Sequence, residues 1–436
     1  MRIITVFLAT IVLSGLAFSQ VTLDYWLWDA NQLEPYTQCA ADFEAANPGI
    51  TVRVTQTGWG DYWTGITTGF VSGTAPDVFT NHLQRYVEFA ANEQLVDIQP
   101  FVERDGLDLG VYIDGLAELW TRDGSRFGLP KDWDTVAVVF NAEMLAAAGI
   151  TTDELNAATW NPDDGGTFQN IIARLTLDAN GNDGLSSDFD KANVVQYGFT
   201  LPGSDSGGAT GQTQWSHYAY SNGFAFNDGM FATSYYYDDP RLAATLDWVA
   251  RLINEYGYAP SFAEISSLGG NALFTAGQTA LLTDGSWMIG FYDDNSPFDV
   301  GFARLPIGPE GRKSMFNGLA DSIWVGSRHQ AEAWSLVSHL ASPDCQRIVG
   351  ASGVVFPAVP EAVDLALANF EERGLDVTAF TEQALEEGGT FLFPITDFAS
   401  EIASIMENAV ASILLGQQPA DTALTRANAE VNALFR

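Results

Sequence analysis

Between Val21 and Thr80 the sequence switches repeatedly between a strand-like and a helix-like period, with short links. Val21-Thr22-Leu23-Asp24-Tyr25-Trp26-Leu27-Trp28 alternates, as a strand with one buried face does. Pro35 to Ala46 reads as a helix closed by Asn47-Pro48-Gly49, and Ile50 to Gln56 alternates again. Tyr62 to Ser72 is amphipathic and stops at Gly73, and Pro76 to Thr80 forms a short third strand. This strand–helix–strand–helix–strand order predicts an α/β fold built on an open, mainly parallel sheet with helices on its faces. Such sheets bind ligands beyond the carboxyl ends of their strands. Those ends carry Trp28-Asp29, Trp59-Gly60-Asp61-Tyr62 and Thr80-Asn81-His82. Asp132-Trp133-Asp134, by contrast, precedes the apolar run Val136 to Phe140 and is expected at the start of a strand.

At 436 residues the chain exceeds what one core supports, so two or three domains or lobes are expected. Residues 159–230 are rich in Gly, Asn, Asp, Ser and Trp, include "PGSDSGGATGQTQ", and predict loops around a helix at Phe168–Leu177. Helical periodicity returns from Pro240. Strands are predicted at Phe298–Leu305 and Ser322–Val325, with a helix at Glu332–Ala341 and a helical region from Asp397. Strand-like pieces near 133–140 and 318–325 lie far apart, so lobes crossed by both are discontinuous.

Residues 1–19 read as a secretory signal: Arg2, the apolar run Ile3 to Leu13, then Ala17-Phe18-Ser19. A membrane anchor is the alternative, but the run is short and no stop-transfer flank follows. With no Cys at the cleavage point, the expectation is a freely diffusing exported protein, in a periplasm. The formal net charge is −36, and the Lys residues number three (Lys131, Lys191, Lys313). That argues against nucleic acid or an anionic membrane as partner, since both need a basic face. Cys39 and Cys345 are the two cysteines; in an oxidising compartment they are expected to bridge, with two buried thiols as the alternative.

Motifs for catalysis are thin. G-x-S-x-G, a P-loop and H-E-x-x-H are absent, and His82, His217, His329 and His339 lack metal spacing. "DANGNDGLSSDFD" (Asp178 to Asp190) departs from the calcium-loop pattern at Asp183 and Phe189, so it reads as a solvated turn, with bound calcium as the lesser alternative. "SYYYDDP" reads as a loop before a helix. The positive signal is Trp beside Asp or Asn at separate strand ends. A sugar offers an apolar CH face to an indole and a ring of hydroxyls to carboxylates and amides. Trp28, Asp29, Trp59, Asn81, His82, Asp132, Trp133, Asp134, Trp215, Asp284, Trp287 and Asn317 make that pattern, with core packing the competing reading for each Trp.

Several stretches in order resemble one family. They are "FEAANPGITVRV" (43–54), "SGTAPDVF" (72–79), "GLPKDWDTVAVVFNAEMLAAAGI" (128–150), "FTAGQTALLTDGSW" (274–287), "LPIGPEGR" (305–312) and "FPA" (356–358). Together they are similar to the extracellular solute-binding proteins of ABC sugar importers, related to the maltose-binding protein. The resemblance implies a two-lobed periplasmic binding protein fold of type II, closing on a sugar without catalysis, cofactor or metal, and delivering it to a membrane permease as a monomer. It implies a first lobe of residues 20–131 and about 319–343, and a second of about 132–318 and 344–436. It places Asp29, Asn81, His82, Asp132, Trp133, Asp134, Trp287 and Asn317 in the cleft, with Lys131 balancing the carboxylates; Trp28, Trp59 and Trp215 are added by the stacking argument. His82 stands where some relatives carry a carboxylate. A secreted glycoside-active enzyme is the rival reading, and a polyamine or glycerol phosphate the rival cargo.

Overall fold

The structure, a computed structural model, describes residues 20–203 and 211–436; the expected signal segment and residues 204–210 of the Gly-rich stretch lie outside the described residues. The first strands and helices follow the sequence pattern closely. β1 (Val21–Leu27), α1 (Leu33–Ala46), β2 (Ile50–Gln56), α2 (Trp59–Ser72), β3 (Val78–His82) and α3 (Leu83–Ala91) come in the expected order. Gly73, at φ 72°, closes α2 in the left-handed conformation that a side chain resists.

β4 (Leu129–Asp134) and β5 (Val136–Asn141) follow, separated by Thr135 alone. β6 (Leu281–Gly285), β7 (Val300–Ala303), the ten-residue β8 (Ser314–Ile323), β9 (Phe356–Pro357) and β10 (Thr390–Leu392) complete the strands that matter here. One sheet runs β9-β4-β8-β3-β1-β2, with β10 alongside the start of β8; a second runs β6-β5-β7. The first sheet is parallel across β2-β1-β3, as expected, but β8 runs antiparallel to both β3 and β4. The second sheet is antiparallel throughout, where mainly parallel strands were expected. The cause is the crossing itself. β4 and β5 carry the chain out of the first sheet and β8 carries it back, so the returning strand must oppose the one that left.

β5 explains its own unbroken apolar run. Val136, Val138 and Phe140 enter one core, with the second lobe's helices, while Ala137 and Val139 enter another shared with the first sheet. A strand buried on both faces has no polar face to show in its sequence. A third, aromatic core (Tyr62, Trp63, Phe79, Tyr86, Phe89, Trp120) backs α2 and α3.

Cys39 on α1 is bridged to Cys345 on the helix Pro343–Ser352, which packs on α1, and β9 pairs with β4. Residues 343–357 therefore stay with the first sheet, beyond the boundary near 343 read from sequence. Asp178 accepts the backbone N–H groups of Asn180, Asn182 and Asp190 and the Asn182 amide. Its oxygens are thus already spent on an ordinary hydrogen-bonded turn. Among the described residues no group of His, Cys, Asp or Glu is placed to hold a metal ion, and no helix is long and apolar enough to cross a membrane.

The bridge closes a separation of 306 residues, so its loss frees a very large loop in the unfolded chain. We expect Cys39→Ala with Cys345→Ala to lower unfolding free energy by up to about 5 kcal/mol. Thiol titration of the denatured, unreduced wild type should find none; two would refute the bridge.

Candidate functional site

A cavity of about 460 Å³ opens where the two sheets meet. Its wall is assembled from strand ends: Trp28 and Asp29 after β1, Trp59 at the start of α2, His82 at the end of β3, Asp134 at the end of β4, and Asp284 with Trp287 at the end of β6. Asn317 and Leu319 of β8 form its floor side, and Gln32, Gln212, Gln214 and Asn271 add amides.

Three indoles, Trp28, Trp59 and Trp287, are half-buried. Trp28 meets Trp59 edge-on with ring centroids 5.1 Å apart and leans on Tyr62 and Trp63, which belong to the aromatic core. Trp28 and Trp59 are thereby held from behind while part of each remains open, and Trp287 packs against the edges of the two larger cores.

His82 is buried and caps α3: its Nδ1 accepts the Gln84 N–H at 3.1 Å. Burial, with Arg85 nearby, lowers its pKa to about 3, so the ring is neutral and carries its proton on Nε2. Nε2 lies 2.9 Å from the Asn317 amide, so that end of the amide must act as acceptor. One end of the same amide is buried at the cavity wall without a protein partner.

Asp134 accepts one hydrogen bond, from Ser286 Oγ at 2.7 Å. Burial, and then the neighbouring Asp132, raise its pKa well above 3.8. Asp284 accepts from Tyr292 Oη at 2.6 Å and from the Asn271 amide. Asp29 is raised by burial, an effect opposed by the Asn31 backbone N–H.

Of the residues singled out from sequence, eight line this cavity: Trp28, Asp29, Trp59, His82, Asp134, Asp284, Trp287 and Asn317. Four do not. Successive side chains of β4 point to opposite faces, so Trp133 turns away from Asp132 and Asp134 and stacks between Phe316 and Phe356. Asp132 lies one layer back, bonded to the Gln32 amide and the Leu319 N–H, two residues that themselves line the cavity. Asn81 is fully buried and donates to Ser322 Oγ, on the face of β3 opposite His82. Trp215 packs against Phe224 and Phe226 in the second core. Lys131 is buried and hydrogen-bonded to Tyr25, Thr80 and Asp321 rather than to the aspartates, yet its charge still reaches Asp132, whose pKa it lowers against the rise from burial. The amides Gln32, Gln212, Gln214 and Asn271 went unread, because nothing in their local sequence marks them apart from other loop positions. Asp284 was in the Asp-Gly-Ser-Trp pattern.

A cavity between two sheets flanked by helices, lined from the carboxyl ends of β1, β3, β4 and β6 and spanned by short crossings, defines a two-lobed binding protein. Residues 29–347 match the bacterial extracellular solute-binding protein family, and the chain belongs to it. It is 24% identical to the lactose-binding protein of Rhizobium radiobacter over 370 residues, covering 80% of this chain and 77% of that one. The fold superposes on the Listeria monocytogenes ABC substrate-binding protein solved with cycloalternan at a TM-score of 0.81, with 20% identity, covering 95% of this chain and 99% of the other. The maltose-bound T. maritima MalE3 gives 0.75, at 19% identity, covering 95% and 100%.

A buried aspartate with a raised pKa holds its proton more tightly folded than unfolded. Its stabilising effect is complete below the unfolded value of 3.8 and is lost as pH rises through the folded value. Asp134→Asn keeps the shape and removes this loss. In melting curves of the ligand-free protein, the variant should gain on wild type as pH rises from about 4 towards neutral, by at most about 1.4 kcal/mol per pH unit and only until the folded value is passed. An unchanged gap across that range refutes it.

Proposed function

We propose that the protein captures a sugar or oligosaccharide in this cavity by closing its lobes, and hands it to the membrane subunits of an ABC importer without chemical change. The observation that carries the reading is three half-buried indoles, two of them (Trp28 and Trp59) fixed from behind by aromatic rings, sharing one cavity with Asp134, Asp284, Asn317 and several amides. Rings take the CH faces of a sugar, and the polar groups take its hydroxyls. The sugars named for the Rhizobium, Listeria and T. maritima relatives point the same way.

In this reading the first lobe is residues 20–134 with about 318–357, and the second is 136–316 with about 390–436. Thr135 and the middle of β8 are the flexing points between them. Residues 1–19 direct export, and the working form is a monomer in the periplasm.

Calorimetry across mono-, di- and trisaccharides tests the proposal. A sugar that binds wild type should lose about 1–3 kcal/mol with Trp59→Ala and with Trp287→Ala, while Trp133→Ala, outside the cavity, changes stability instead. Incubation with the bound sugar should leave it intact. New reducing ends would replace the proposal with a hydrolase, and wild-type affinity in both cavity variants would remove the indoles from the site.

A further inference from the structure

The cavity's charge is one-sided. Asp29, Asp134 and Asp284 line it, and no Lys or Arg does so among the described residues. Residues 204–210, outside them, contain no Lys or Arg in sequence. The charge of Lys131 reaches Asp29 and Asp132, whose pKa values it lowers, but its hydrogen bonds go elsewhere. Lys131 Nζ bonds Asp321 and two hydroxyls and sits 3.7 Å from the centre of the Tyr36 ring. Arg85 bonds Ser400 and lies over Trp63, on the side of the aromatic core.

A neutral sugar offers the buried Asp134 no positive charge, so that its carboxyl avoids an unpaired buried charge only by keeping its proton. A ligand with an ammonium group supplies that charge. It also gains from the indole faces of Trp28, Trp59 and Trp287, since aromatic faces attract cations as well as CH groups. The Asn317 amide, buried and with one end unpartnered at the same wall, shows that the cavity holds a place for a ligand's polar group beyond the acidic residues themselves. Outside the cavity, the net charge of −36 attracts cationic solutes.

We propose that the cavity selects a sugar bearing a free amino group, with Asp134 as the principal partner of the ammonium and the indoles as the faces that cover it. The proposal rests on the carbohydrate reading and narrows it to amino sugars. Asp134 is chosen because a single protein donor, Ser286 Oγ, reaches it, whereas Asp284 is already held by Tyr292 and Asn271.

The test is calorimetry on the mature protein at neutral pH with matched sets. These are glucosamine, galactosamine and mannosamine, and the β-1,4 disaccharide of glucosamine, each against its neutral and its N-acetylated counterpart, with spermidine as a separate arm. At least one amine should bind about tenfold or more tightly than both counterparts, and its affinity should fall as salt rises. Asp134→Asn should level the amine with its neutral parent; if that variant fails to fold, Asp29→Asn and the salt dependence of wild type carry the comparison. A neutral or N-acetylated sugar binding as well as the amine overturns this inference and leaves the carbohydrate reading standing. Spermidine binding with no sugar, or no binding across all sets, overturns both.

Discussion

An ammonium buried in a protein must be paired, and here that requirement fixes the first sheet. Lys131 has 1% of its surface exposed and reaches Asp321 on β8, Thr80 on β3 and Tyr25 on β1. Those groups belong to three strands lying side by side. Losing one partner leaves a charge stranded in a dry interior, which is among the most destabilising changes a fold can suffer. The network therefore pins the register of β4 on β8, and with it the positions of Asp134 at the end of β4 and of Asn317 opposite. The binding wall is the outer end of a ladder whose inner rung is an ion pair.

The parts of this fold visible in sequence are those whose signal is local. β1, α1 and α2 show one buried face each, so alternation or helical spacing gave them within a few residues, and β2 was given by its alternating sequence although Val52 alone is buried on it. β4 escaped. Leu-Pro-Lys-Asp-Trp-Asp carries a proline and three charges, and its strand character depends on Asp321, Gln32 and the Leu319 N–H, all distant in sequence. The site divided in the same way. Residues just past a strand end, such as Trp28, Asp29, His82 and Trp287, were legible because topology alone sends them to the cavity. Adjacency misled where facing matters: Trp133 sits between Asp134, which lines the cavity, and Asp132, one layer behind it, yet the pleat turns it into the core. Burial separates the two kinds of tryptophan. Those at the cavity keep a face open, while Trp133 and Trp215 are closed off at 4% and 1% exposure.

The acidity of the chain works at two ranges. Over the surface, most carboxylates meet water or a nearby arginine, as Asp397 meets Arg122 at 2.6 Å. Among the described residues no arginine lines the cavity, so there the same residue type becomes a demand on whatever enters. Surface pairs of this kind contribute little to stability, whereas an unbalanced carboxylate in a closing cleft weighs directly on which solute is retained.

The central strands of the first sheet come from opposite ends of the sequence. β8 lies between β3 and β4, β9 borders β4, and Cys345 is tied to Cys39. A chain released amino end first has nothing to insert beside β3 until residue 314 and its successors arrive. The early segments must wait, incomplete, through the making of almost all of the second lobe. Topology thus keeps the first sheet from closing strand by strand, and the covalent staple cannot form before residue 345 has been made.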